Sequence, residues 1–293
     1  MIVRSRPSLL TLFFVLKGSI IQRTWPQLAT VGMLSLIVVA AHRQAPQIIP
    51  GINPAPFTLI GIALSIFLSF RNNACYERWW EARKLWGQII QAARDIARQT
   101  VVLDEEPGQT SPERRRILTA IIAFSQAVVG QLRQRADQPA LPASPADRVL
   151  QEVAADIGTL LRQGRLAPVE ALALNDSLNR LMQALVGCER LANTPLPFAY
   201  TLLLHRTAYL FCFLMPFGFA DMLGWSTPLA AMLVAYTFFG LDTLGEELEE
   251  PFGLMPNNLP ISTYATVIEN QLRSAMGETD LPPMPLPRDY VLT

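Results

Sequence analysis

Five carboxylates crowd into the nine residues Asp242 to Glu250, in the run DTLGEELEE. At helical spacing Asp242, Glu246, Glu249 and Glu250 share one face, with Glu247 beside them. Acids so arranged can concentrate cations at a pore entrance, hold a divalent metal through hard oxygens, or serve as acid and base. They also sit where a helix ends, and negative charge there opposes the helix dipole, so they call for positive partners such as Arg78 and Arg83. Nucleophilic chemistry finds little to draw on: there is no GxSxG, HExxH or P-loop, no Cys/His pairing, and no glycine-rich cradle ahead of a helix. The three cysteines, Cys75, Cys188 and Cys212, lie far apart without a CxxC, which fits packing residues better than a disulfide framework or zinc site. Of the two histidines, His205 is followed by Arg206, and the pair reads as a hydrogen-bonded buried residue beside a charge.

A second pattern needs no reactive group. In PFTLIGIALSIFLSFRNNACYERWWEAR, residues 56–83, no charge occurs before Arg71, and the run continues without Pro or Gly into Arg71, Glu77, Arg78, Glu81 and Arg83. One helix could begin in hydrocarbon and end in water. Ile62, Ile66 and Phe70 recur at i, i+4, i+8 beside Gly61, Ser65 and Ser69. Small residues let membrane helices approach closely. If copies pack through Gly61, Ser65 and Ser69 about an axis, rings of Ile62, Ile66 and Phe70 form a dry constriction of the kind that gates ions by dewetting. The alternative is that the same stripe packs on lipid or on another helix of the chain. Arg71, with Asn72 and Asn73, follows directly, and is expected to turn sideways into a salt bridge or onto a backbone. Trp79, Trp80 and Trp86 read as interfacial or core packing.

These patterns sit in an apolar chain: 51% of its 293 residues are hydrophobic, and the mean hydropathy is +0.26. Lys and Arg number 24, as do Asp and Glu, leaving no net charge to attract nucleic acid. Thr24 to Ala41 is an uncharged run long enough to cross a bilayer core, and Leu223 to Leu241 is another. With the helix from Pro56, and a third span confined to Thr207–Ala220 because a mid-bilayer Arg206 is costly, four spans are expected. The part before Arg206 is then expected below the membrane, buried in protein. Only the loops 42–55 and 218–226 lie on the far side. Arg43 is the sole Lys or Arg in them, which predicts cytoplasmic termini and an inner-membrane protein.

The remaining residues are helical in rhythm. The long second helix runs on to Thr100. Ser111 caps a helix with Pro112 at its first position, Ile117 to Leu132 following in helical rhythm. Asp147 or Pro145 opens another to Leu161, and Pro168 a third to Ala192. Residues 136–147 form a Pro/Ala linker, and the tail 251–293, with seven prolines, carries one short helix at Ser262–Met276 and suits wrapping a surface. The expected organisation is an interfacial N-terminal helix in 1–23, spans one and two in 24–76, a cytosolic helical bundle in 77–194, spans three and four with a cytosolic aperture in 195–248, and a wrapping tail in 249–293. The fold class is all-α: an integral membrane protein with four transmembrane helices and a cytosolic helical bundle.

APFTLIGIALSIFLSFRNNACYERWWEAR, then CERLANTPLPFAY, then DTLGEELEEPFG resemble, in that order and spacing, the bacterial bestrophins, pentameric ion channels related to the animal calcium-activated chloride channels. The resemblance covers nearly the whole chain. It implies a homopentamer with one axial pore, Ile62, Ile66 and Phe70 as the neck, and Leu196, ahead of Pro197 and Phe198, as the cytosolic aperture. It further implies passage of monovalent cations, notably sodium. Animal members follow an Asn-Pro-Phe-Gly-type sequence with an acidic calcium clasp. Here Glu250-Pro251-Phe252-Gly253 is followed by Leu254, Met255, Pro256, Asn257 and Asn258, too few hard oxygens for a strong calcium site. The sequence thus points to a channel for small monovalent ions, not an enzyme, with no cofactor, metal or nucleic acid, and with copies of itself, lipid and ions as partners. An anion channel of the same fold, or a membrane-anchored scaffold or sensor, are the alternatives.

Overall fold

The computed structural model describes residues 1–4, 15, 18–45, 52–106, 108–133 and 144–292. The interfacial helix expected in residues 1–23 and the linker 136–147 fall largely outside them. Among the described residues the regular structure is helical, with an isolated bridge between Arg288 and Val291. The helices are α1 (Ile21–Gln44), α2 (Ala55–Gln99), α3 (Pro112–Arg133), α4 (Pro145–Arg162), α5 (Pro168–Asn193), α6 (Phe198–Leu223), α7 (Thr227–Glu249) and α8 (Ile261–Ala275). The all-α expectation holds. The chain divides into two compact units, one of residues 2–78 with 195–249, the other of Met1, 79–194 and 250–293.

The first unit holds the apolar helices. Three helical stretches are long and apolar enough to cross a membrane, Ile21–Gln44, Ala55–Leu103 and Phe198–Glu249, the last being α6 and α7 joined at a short 3-10 turn, Gly224–Ser226. The core of this unit is Val31, Leu64, Leu68, Leu204, Ala208, Phe211, Met215, Ala231, Ala235 and Phe239. Glycine makes the close approaches: a Cβ on Gly32 would stand 2.9 Å from Met232, and one on Gly218 would stand 2.5 Å from the ring of Phe57. Buried Ser35 satisfies its hydroxyl inside its own helix, donating to the Val31 carbonyl at 2.7 Å. Where α6 turns into α7, Gly224 takes φ 53°, a left-handed conformation that a side chain would strain. Arg43 lies beside it, its guanidinium 5.6 Å from the ring centre of Trp225, a cation–π contact.

Two of the expected spans lie within longer helices. The third, expected at Thr207–Ala220, is carried by α6, which runs unbroken from Phe198, with Phe198 and Leu203 77% and 63% exposed in the single chain. Leu204, Ala208, Phe211, Cys212 and Met215 pack inward, and Arg206 rides the exposed side without interrupting the helix. The fourth, expected at Leu223–Leu241, lies mostly on α7, which starts at Thr227 after the Gly224 turn and continues through its acids to Glu249.

The second unit is built on the rest of α2 with α3, α4, α5 and α8. Ala82, Trp86, Ile89, Ala93 and Ile96 of α2 enter a core with Leu118, Ile121, Phe124, Leu150, Ile157, Leu174, Leu181, Ile268 and Leu272. Local signals set the ends of these helices. Ser111 Oγ accepts the Arg114 N–H at 3.2 Å, with Pro112 at the first position; Ser144 accepts from Asp147 at 3.4 Å ahead of Pro145; and Glu170 reaches back to the Ala167 N–H at 2.8 Å beside Pro168. Cys188 is fully buried on α5, and burial, aided by the charges of Glu189 and Glu81, pushes its thiol up to about 12, in keeping with a packing role.

Two glycine substitutions of opposite sign test this packing. Gly218→Ala forces a methyl into the Phe57 ring and is expected to lower stability by about 1–3 kcal/mol. Gly130→Ala, in the last turn of α3 with open space around it, is expected to raise stability by about 0.5–1 kcal/mol. Thermal unfolding of both purified proteins in detergent reads the shifts; equal shifts would contradict the packing.

Candidate ion pathway and the charges behind it

Between Ala55 and Arg78, α2 shows two opposite faces. Leu64, Leu68, Arg71 and Cys75 are at most 2% exposed, whereas Ile62, Ile66 and Phe70 are 55%, 49% and 61% exposed. At 100° per residue, Ile62, Ile66, Phe70, Asn73 and Glu77 fall within an arc of roughly 80°, centred about 180° from the buried stripe. Asn73 and Glu77 are likewise exposed. This arc is apolar for its first turns and ends in an amide and a carboxylate. The three neck residues expected from spacing are thus on one side, facing out of their own subunit.

The neighbouring small stripe divides its work. Of the two readings of this stripe, contact between copies or packing on another helix of the chain, Gly61 fits the second: it seats Phe211 of its own chain, whose ring would stand 3.0 Å from an added Cβ. Ser65 and Ser69 remain exposed, and Ser65 donates to the Gly61 carbonyl at 2.7 Å. Leu196 lies half-buried in the bend before α6, beside the more exposed Phe198. The start of α6 is tied to α2 where Tyr200 donates its hydroxyl hydrogen to the Phe67 carbonyl at 3.2 Å.

The inward face of α2 meets the acids of α7. Arg71 is 0% exposed, and its Nη1 stands 2.5 Å from Asp242 Oδ1, with Glu249 3.6 Å from its Nη2. Asp242 uses its second oxygen for His205 Nδ1 of α6, at 2.7 Å. Gly245 makes room: a Cβ there would stand 2.6 Å from Asn72 Oδ1 and 3.4 Å from the Arg71 guanidinium carbon. Arg78 donates to the Glu249 carbonyl at 3.2 Å. From α1, Arg23 reaches Glu247 at 2.8 Å and Glu246 at 3.8 Å. Such a set is tolerable in an apolar unit because each of these carboxylates stands opposite a cation. Glu250 lies outside this group, exposed at the start of the second unit.

The arginines that engage these acids are therefore Arg71 and Arg23, with Arg78 on a carbonyl. Arg83, the other partner expected from sequence, instead lies 5.0 Å from the Tyr264 ring. Arg71 turns sideways into a salt bridge as its position in the run suggested. Arg23 gave no such signal, since α1 begins too close to it for any periodicity to show. His205 is hydrogen-bonded but 40% exposed at its side chain, so the buried part of that expectation is corrected: its Nδ1 reaches inward while the ring edge stays open.

In the second unit the turn after Phe252 closes on its own amides. Asn258 Oδ1 accepts from the Met255 N–H at 2.5 Å, its Nδ2 donates to the Glu250 carbonyl at 2.8 Å, and the Leu259 N–H bonds the Pro251 carbonyl at 2.8 Å. Leu254, Met255 and Pro256 bring no side-chain oxygen, and the oxygen of Asn258 is engaged within the turn. This donor set does not fit a calcium clasp.

Comparison with known proteins gives a consistent picture. A family model described as "Bacterial/Fungal Bestrophin protein" matches residues 1–274. A voltage-dependent anion channel-forming protein of Mesorhizobium japonicum is 42% identical, across 99% of this chain and 96% of that protein. One of Salmonella typhi is 39% identical over the full length of both. The crystal structure of a bacterial bestrophin homologue from Klebsiella pneumoniae superposes with a TM-score of 0.79 at 37% identity, covering 86% of this chain and 97% of that one.

Removing one member of a buried ion pair strands the other. Asp242→Asn or Arg71→Ala alone is expected to cost about 3–5 kcal/mol, and Arg71→Met with Asp242→Leu together far less than the sum. Thermal unfolding of the three variants measures the coupling; additive losses would show that the pair does not act as a unit.

Proposed function

This chain belongs to the bacterial and fungal bestrophin family and is an ion channel rather than an enzyme; from that premise we propose that it assembles as a homopentamer in the inner membrane, both termini cytoplasmic, and conducts small monovalent cations passively. The observation that carries this reading is the outward arc of α2, an exposed apolar stripe opposite the face that its own subunit buries. Five such arcs about one axis make rings of Ile62, Ile66 and Phe70, a neck that an ion crosses only after shedding part of its hydration. Beyond the neck the ions pass a wetter vestibule and leave past Leu196. Residues 24–76 and 195–248 form the membrane part and 77–194 with 249–293 the cytosolic part.

The directions of the charges support the cation reading. Arg71 and Arg78 turn inward to Asp242 and Glu249, so they put no positive charge on the arc. Glu77 is exposed on it, one turn beyond Asn73. A ring of carboxylates below a dry neck favours cations. The second reading is an anion channel, favoured by the names of the Mesorhizobium and Salmonella relatives.

Recordings on purified protein in planar bilayers decide between them. Under a potassium chloride gradient the reversal potential is expected to lie toward that of the cation and to move toward zero in Glu77→Gln; a wild-type potential on the chloride side would establish the anion reading. Ile66→Ala with Phe70→Ala is expected to raise single-channel conductance several-fold. Unchanged conductance would remove the neck assignment, and no current from any variant would favour a scaffold.

A further inference from the structure

The geometry points to a divalent-metal site formed by His205 of α6 and by Asp242 and Glu246 of α7, taking one first-row cation per subunit, zinc foremost. Each of the three offers a donor atom, and these atoms all lie within 4.8 Å of one another. Asp242 and Glu246 are one helical turn apart, so both carboxylates face the imidazole across the α6–α7 contact. One imidazole nitrogen and two carboxylate oxygens suit zinc, leaving a position for water. Tetrahedral zinc at its usual bond lengths puts neighbouring donors roughly 3.4 Å apart, so His205 Nδ1 and Asp242 Oδ2, now 2.7 Å apart, need part by less than 1 Å.

Two independent features favour a cation here. The first is orientation: Asp242 Oδ1 is fixed by the fully buried Arg71 at 2.5 Å, which leaves Oδ2 aimed at His205, the arrangement by which an outer group holds a ligating carboxylate. The second is access and loose pairing. Arg23 stands 2.8 Å from Glu247 but 3.8 Å from Glu246, the longest ion pair in the cluster, and the side chains of Glu246 and His205 are 46% and 40% exposed. The carboxylate and imidazole that must move are thus the ones open to solvent, while the one already held in place is buried. A bound ion would join α6 to α7 and, through Asp242 and Arg71, to α2, away from the outward arc.

The test is isothermal titration of zinc chloride into the purified full-length channel in detergent, stripped beforehand with chelator, with zinc content per subunit measured after desalting. One zinc per subunit is expected, weakened at least about tenfold in His205→Ala and in Glu246→Gln, and unchanged in Glu106→Gln on the surface of the other unit. Glu246→Gln alters an exposed side chain, so it decides the question even if His205→Ala does not assemble. Absence of stoichiometric binding, or binding that survives both substitutions, overturns the site. Because the readout is binding, that result would leave conduction untouched.

Discussion

A helix can bury only one side against its own subunit, and α2 commits that side fully. Gly61, Leu64, Leu68, Arg71 and Cys75 meet the other apolar helices or the acids of α7, at near-zero exposure for the last four. Everything on the opposite side is left to the surroundings. The arc is apolar from Ile62 to Phe70 and turns polar at Asn73 and Glu77, where α2 is proposed to leave the membrane. The proposed passage between copies would set both halves of the arc along one ion path.

The buried charges make this division possible. An arginine placed one residue after Phe70 could have lined the passage, and a positive ring there would repel cations. Asp242 and Glu249 draw it inward instead, and Gly245 supplies the space that a guanidinium and the adjacent Asn72 require. Fixing Arg71 on α7 orients α2 about its own axis, and with it the direction in which Ile62, Ile66 and Phe70 point. The acids, which from sequence could be a pore mouth, an acid–base pair or partners for arginines, thus pair with Arg71 and set the rotation of α2. Their cost in a low-dielectric setting is offset by the shared hydrogen bonds among Arg71, Asp242 and His205.

Much of the fold was legible in local chemistry. Pro112, Pro145 and Pro168 mark helix starts because a missing N–H costs nothing in a first turn, and the structure begins α3, α4 and α5 at those residues. The continuous α2 follows from a run of 45 residues whose sole Pro, Pro56, sits in the first turn and which has a single Gly on each side of the charged segment. The outward stripe was visible as spacing, because a period of four on a helix is a face whichever neighbour it meets. What it faces was not visible, because spacing cannot distinguish lipid from an axis. Arg206 lies on the exposed side of an unbroken α6, a placement that its position in an apolar stretch did not reveal. Gly61 had two readings for a related reason: smallness shows that something comes close, and Phe211 of the same chain is that partner. Arg23 and His205 meet the acids only through tertiary approach, which leaves no periodic trace.

The central claim is that Ile66 of each subunit faces an aqueous passage shared among copies, and it can be measured directly. Ile66→Cys channels, recorded in planar bilayers while a charged, water-soluble thiol reagent is perfused, should lose current irreversibly, whereas Ile37→Cys channels, carrying the thiol on the exposed side of α1, should not. The native cysteines are buried and should stay silent. If the Ile66→Cys current is unaffected while a membrane-soluble maleimide labels that thiol, the stripe faces lipid and the account is contradicted.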